Sequence, residues 1–281
     1  MFNNHPPPSL NEFKRLNAAE SLLLHEIKQA PAADNISRVM QLIEKGSLDI
    51  IVKLAFNDDD FRKLCKNQIF SNEWLKLWST YGIILTNDPG NALYSQEIPH
   101  PFDLLLGIFF YHKAIEVSRY YEKDFTNMEL TYLEEAIRYE SIHAQKRLNF
   151  YWYEQFQFGN MEKVLIKEKF LVLIAQIKKL HYYGSYAYVM LAEAFLRFAD
   201  FLKNDSQLKK KCLNAALEAC QHAEAEAENS DKLLFNASLG RGLGHSNSYN
   251  FESYEQIRQF ISSFNRSSSA ESHSSRPPRM L

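Results

Sequence analysis

The sequence predicts an all-α protein, an irregular multi-helix bundle with α-solenoid-like stretches. Of its 281 residues, 46% are hydrophobic and 14% aromatic, ample material for a large core. Only 9 Gly and 9 Pro are present, several near the two ends, which leaves the interior poor in the turn residues that many-stranded β folds require. Apolar residues recur at helical spacing between recognisable caps along most of the chain.

The Pro-rich start, 1–8, carries too little to bury and is expected to be disordered. Ser9-Leu10-Asn11-Glu12 then reads as a capping box, opening a helix that runs to about Ala30 and stops before Pro31. Ile36, Val39, Met40 and Ile43 form a stripe ending at Gly46, which predicts a second helix over 35–45. Leu48, Ile51, Val52 and Ala55 begin a third. Asn57-Asp58-Asp59-Asp60 precedes the next, which carries Phe61, Leu64 and Cys65; helix capping and dipole complementation account for this run without a cation. Ser71 is the expected cap of a helix with Trp74, Leu75 and Trp78, ending near Gly82.

Asn87-Asp88-Pro89-Gly90-Asn91 is the strongest turn signal. It divides the chain into an N-terminal helical subdomain, 9–84, a connecting loop, 85–100, and a larger bundle, 101–264. In the bundle, Asp103 is the expected cap of a helix whose apolar residues, Leu104, Leu105, Ile108, Phe109, Phe110, Ile115 and Val117, cover so much of its circumference that it must be central. Two shorter helices fill 127–157. Ile166, Phe170, Leu173, Ile177 and Leu180 form a core seam against a neighbouring helix. Helices near 185–203 and 206–228 are joined by a short polar link and so lie antiparallel. A last helix near 252–264 precedes a tail, 265–281, which is Ser-rich and expected to be disordered.

Net charge is −2, so no general basic field attracts nucleic acid. No apolar run spans a bilayer, and no secretory leader is evident. Cys65, Cys212 and Cys220 follow no metal or redox spacing and read as buried thiols in a reducing compartment. Gly240, Gly242 and Gly244 lack the strand and the Lys-Ser/Thr of phosphate-binding loops. The histidines nowhere recur four apart on a helix, and Glu140 with His143 is a single Glu-x-x-His pair where a di-iron bundle needs two. No catalytic, cofactor-binding or metal-binding residue is assigned; an enzyme whose site assembles only in three dimensions is the alternative.

The helix near 206–228 is the one with unusual charge placement. Lys209, Lys210 and Lys211 lie in its first turns and Glu224, Glu226 and Glu228 in its last. Both placements oppose the helix macrodipole, by about 0.3–1 kcal/mol per exposed charge. These six residues are the candidate partner-binding positions.

Leu133-Glu134-Glu135-Ala136 with His143-Ala144, Leu148 and Tyr151, echoed by Leu213-Asn214-Ala215-Ala216-Leu217 with Ala223, resembles the helix pairs of Sel1-like and tetratricopeptide repeats. Leu48-Asp49-Ile50-Ile51, Phe61 to Lys66 and Trp74 to Trp78 resemble the latter half of an F-box, which implies an adaptor that binds Skp1. Taken whole, with a tail running from Ser267-Ser268-Ser269-Ala270-Glu271 to Met280-Leu281, the chain resembles the helical effectors that Legionella delivers through its Dot/Icm type IVB secretion system. That resemblance implies synthesis in the bacterial cytoplasm, release into the host cytosol and a helical module acting on a host protein. It implies no cofactor.

Overall fold

The computed structural model describes residues 6–80, 100–122, 126–157, 162–179, 185–202, 205–229 and 258–263. Among them every regular element is helical. The chain parts into two compact units, one of residues 1–83 with 93–148, the other of 84–92 with 149–281. Each has its own core. Most of the connecting loop expected over 85–100, the glycine run 240–244 and the tail lie outside the described residues.

In the first unit α1 (Leu10–Lys14) opens with the expected capping box of Ser9 and Glu12. It does not continue to Ala30. Asn17 and Glu20 form a second capping box, so the backbone is extended at Arg15 and α2 (Ala18–Gln29) starts afresh. Pro31, with its fixed φ, opens α3 (Ala32–Glu44) three residues earlier than the apolar stripe suggested. This helix closes in a Schellman motif: Gly46 has φ +66°, and Ser47 N donates to Leu42 O and Gly46 N to Ile43 O.

Next come α4 (Leu48–Asn57) and α5 (Asp59–Cys65), the latter capped by Asp58, whose carboxylate accepts from Phe61 N at 2.8 Å. A 3₁₀ turn, Gln68–Phe70, leads directly into α6 (Ser71–Thr80). Ser71 therefore has helical backbone angles and caps nothing; Asn67 caps the turn instead.

The centre of this unit is α7 (Pro101–Tyr121), which packs on α6 and on α8 (Asn127–Arg138). Its cap is His100, whose Nδ1 accepts from Phe102 N, followed by Pro101 at the first helical position. Asp103, expected as the cap, sits one turn in and pairs with Arg62 and Lys66. The ring of Phe110 is surrounded by those of Phe13, Phe56, Phe109, Tyr132 and Tyr139, at centroid distances of 5.3–6.4 Å. Gly107 is what lets α8 end against α7, because a Cβ there would lie 2.7 Å from Tyr139 O. Pro8, in the stretch read as disordered, accepts a hydrogen bond from Tyr132 Oη at 2.9 Å.

The change of unit falls within α9 (Ile142–Gln157). The second unit continues with α10 (Lys163–Lys178), α11 (Ser185–Phe201) and α12 (Ser206–Asn229). The predicted seam of α10 holds for Phe170, Leu173 and Ile177, all buried. The four-residue link before Ser206 returns α12 along α11, and Ala, Val and Met side chains of α11 pack there with Cys212, Ala216, Ala219, Cys220 and Ala223 of α12.

Candidate functional site

Small buried residues on one side of α12 fix which of its charges face water. Asp205 caps the helix, its carboxylate accepting from Leu208 N at 3.0 Å and its carbonyl from Lys209 N at 2.8 Å. Lys210 and Lys211 are exposed and Lys209 is half-buried. None of the three makes an ion pair among the described residues. The acidic end differs, because Glu224 accepts from Arg258 Nε at 2.9 Å, so this chain supplies its own counter-charge there. Side chains of Glu226 and Glu228 lie outside the described ones. Among the described residues the six candidate positions therefore separate into a basic end without an ion-pair partner and an acidic end that has one in part.

The cysteines are not poised for nucleophilic chemistry. Burial pushes the Cys65 thiol far above its ordinary range, that of Cys220 up to about 12 and that of Cys212 upward as well. Nor does the Glu140-His143 spacing place both on one helix. Glu140 has φ +57° and is the left-handed residue of a second Schellman motif, with Glu140 N donating to Ile137 O and Ser141 N to Ala136 O. Among the described residues no three or more His, Cys, Asp or Glu side chains are grouped to hold a metal ion.

Two buried polar centres escaped sequence reasoning. In the first unit Arg147 of α9 pairs through Nε with Glu129 of α8, both almost wholly buried, and its Nη2 donates to Ser118 Oγ of α7 at 3.1 Å. Nearby the His143 ring, its Nε2 shielded from water, lies 5.5 Å from that of Tyr111. Burial, with Lys146 and His112 adding repulsion, lowers its pKa to about 3, so it is neutral at physiological pH. In the second unit Arg197 of α11 is 3% exposed, with its guanidinium 4.9 Å from the Phe150 ring centre and 5.1 Å from that of Tyr153. Burial pulls its pKa down, against the favourable charge of Glu193, Tyr153, Glu154 and Asp200. An arginine inside an otherwise apolar helical pattern is the signal that could have revealed Arg197, whereas Arg147 stands among Gln145, Lys146 and Asn149 and carries no such signal.

The stretch that resembles an F-box folds as α4, α5, the 3₁₀ turn and α6. Its Leu48, Phe61, Cys65, Trp74 and Trp78 are all buried, and Trp74 Nε1 donates to Cys65 O at 2.7 Å. These side chains form core. Among the described residues no helix is long and apolar enough to cross a membrane.

Together these elements define an all-α multi-helix protein, with a fold similar to the crystal structure of uncharacterised protein lpg1670, whose designation denotes Legionella pneumophila. Identity is 20%, with 88% of this chain and 90% of that one covered at a TM-score of 0.64. Residues 39–261 match the family of unknown function DUF5630, and the chain belongs to that family. Among curated proteins none matches.

Proposed function

We propose that this protein is a Legionella effector, made in the bacterial cytoplasm and delivered by the Dot/Icm type IVB system into the host cytosol, where it acts as a helical interaction module on a host protein. The observation that carries the interaction reading is the basic start of α12. Lys209, Lys210 and Lys211 oppose the macrodipole of their own helix, two of them are exposed, and none makes an ion pair among the described residues. An acidic segment on another protein would supply the missing counter-charge. Delivery is supported by the fold shared with a Legionella pneumophila protein and by the composition of residues 265–281.

A reporter fused to the protein tests delivery in infected cells. Signal should appear in host cytosol only when the bacterium has a working type IVB system, and deletion of 265–281 should abolish it while the thermal midpoint stays within about a degree, since a Ser-rich segment contributes little to a core. Equal signal from a secretion-deficient strain would refute the reading.

A further inference from the structure

His100 joins two helices that are distant in sequence. Its Nδ1 accepts from Phe102 N at 3.1 Å, and its carbonyl accepts from Asp103 N at 2.7 Å and Leu104 N at 3.1 Å. The ring also hydrogen-bonds the backbone of Lys66, the C-cap of α5, in a sense that favours the protonated ring. That sense makes the ring the donor and the Lys66 carbonyl the acceptor, and since Nδ1 is already accepting, the donated proton is the one on Nε2. One neutral imidazole therefore ties the end of α5 to the first turn of α7. Helix caps are ordinarily Ser, Thr, Asp or Asn, none of which changes charge between pH 5 and 8.

A second proton on this ring must enter at Nδ1. There it meets the N–H of Phe102, donor against donor, and the cap bond is lost. The new positive charge also lies at the N-terminus of the 21-residue α7, where the macrodipole is itself positive. Burial acts in the same direction and holds the pKa of His100 below its ordinary value, although the Asp103 charge favours protonation; the Lys66 charge opposes it and the Lys66 backbone bond favours it. Among the described residues the charges near the ring come from α5 and α7. Asp103 shares its carboxylate between Lys66 and Arg62, and Arg62 in turn lies over the ring of Tyr139 at the end of α8. The side that α6 presents is apolar, with Trp74 5.1 Å from the ring of Phe102.

We propose that His100 is a pH-sensitive latch: neutral, it fastens the start of α7 to the end of α5, and protonated, it releases the Phe102 amide so that the first turn of α7 opens. The latch is independent of delivery and of the basic end of α12. In the open state the ring meets water and binds its proton near pH 6.5, whereas the closed state binds it only at lower pH, so closure is favoured in full above 6.5 and weakens as pH falls. Opening should rise by up to about tenfold per pH unit below 6.5, until the closed form is protonated as well.

Ring NMR and amide hydrogen exchange on the full chain test it. At pH 7.5 the His100 ring should carry its proton on Nε2 with Nδ1 bare, and it should titrate below pH 6.5. Between pH 6.5 and 5, after correction for intrinsic rates, the amides of 102–104 should lose protection by up to about tenfold per unit, while those of 108–110, deeper in the same helix, lose less. His100→Asn, which caps a helix without titrating in this range, should remove the difference. The ring titration and the parent's exchange pattern need no variant, so they decide the matter even where His100→Asn fails to fold. A proton on Nδ1 at pH 7.5, titration at or above pH 6.5, or the same acid-induced loss at 102–104 in His100→Asn would overturn the proposal. So would equal loss at 102–104 and 108–110, which would mean global unfolding driven by His143.

Discussion

Replacing Gly107 by Ala places a methyl group 2.7 Å from the carbonyl oxygen of Tyr139 and 3.4 Å from Ser141 Cβ. Two effects oppose each other. Alanine improves helix propensity in the middle of α7 by about 1 kcal/mol over glycine. Overpacking costs about 1–3 kcal/mol, and its upper part applies here because the obstacle is backbone rather than the end of a movable side chain. That carbonyl belongs to the residue before Glu140, in the turn that brings α8 to its end, so relief requires moving α8 away from α7. Net destabilisation of roughly 1–2 kcal/mol follows, which lowers the thermal midpoint by about 2–4 °C per kcal/mol for a chain of this size. Differential scanning calorimetry, read against chemical denaturation, measures it. A Gly107→Ala protein as stable as its parent, or more so, would refute the claim that close approach of α8 is the reason for this glycine.

Glu140→Gly should stabilise the protein by up to about 1 kcal/mol in urea titration, because it relieves a left-handed conformation that glycine accepts without strain. Reversing Lys209, Lys210 and Lys211 to Glu should raise thermal stability by up to about 0.3–1 kcal/mol per exposed site while lowering capture of a host partner, since the charges then favour the dipole and disfavour an acidic segment. His143 makes stability fall with pH. Its folded pKa of about 3 lies below the ordinary 6.5, so the unfolded chain binds the proton first and stability is lost as pH drops through 6.5, by up to about 2 kcal/mol at pH 5. His143→Gln should flatten the denaturation profile in that window. Glu20 and Asp58 are held below the usual carboxylate range, against the opposing effect of burial, by Lys53 and Lys28 with backbone donors, and lose their contribution only as pH falls below about 4.

Most of the fold was legible because helices announce themselves locally. The capping box at Ser9, the Asp58 cap, the Gly46 terminus and the broad apolar surface of α7 each follow from residues within a few positions of one another. Errors arose where a weaker cap competed with a familiar one. Asn17 with Glu20 divided what periodicity joined, and His100 displaced Asp103 because Pro101 fixed the first helical position. Glu140 had no signal at all, since the left-handed residue of a Schellman motif is normally read from glycine.

Candidate sites were harder to read for a different physical reason. The seam of α10 accounted for Phe170, Leu173 and Ile177 and gave Val164, Leu165, Leu171 and Val172 no place. Periodicity detects an apolar face by contrast with a polar one, so a helix with two opposed apolar faces blurs both. The structure separates them through burial. Charge on α12 shows the converse. Its dipole-opposed lysines stand out in the sequence, yet the small residues buried along α11 are what keep the helix formed, and packing of that kind routinely exceeds terminal charge effects of about 1 kcal/mol. A helix held by its seam tolerates unfavourable charge at its ends.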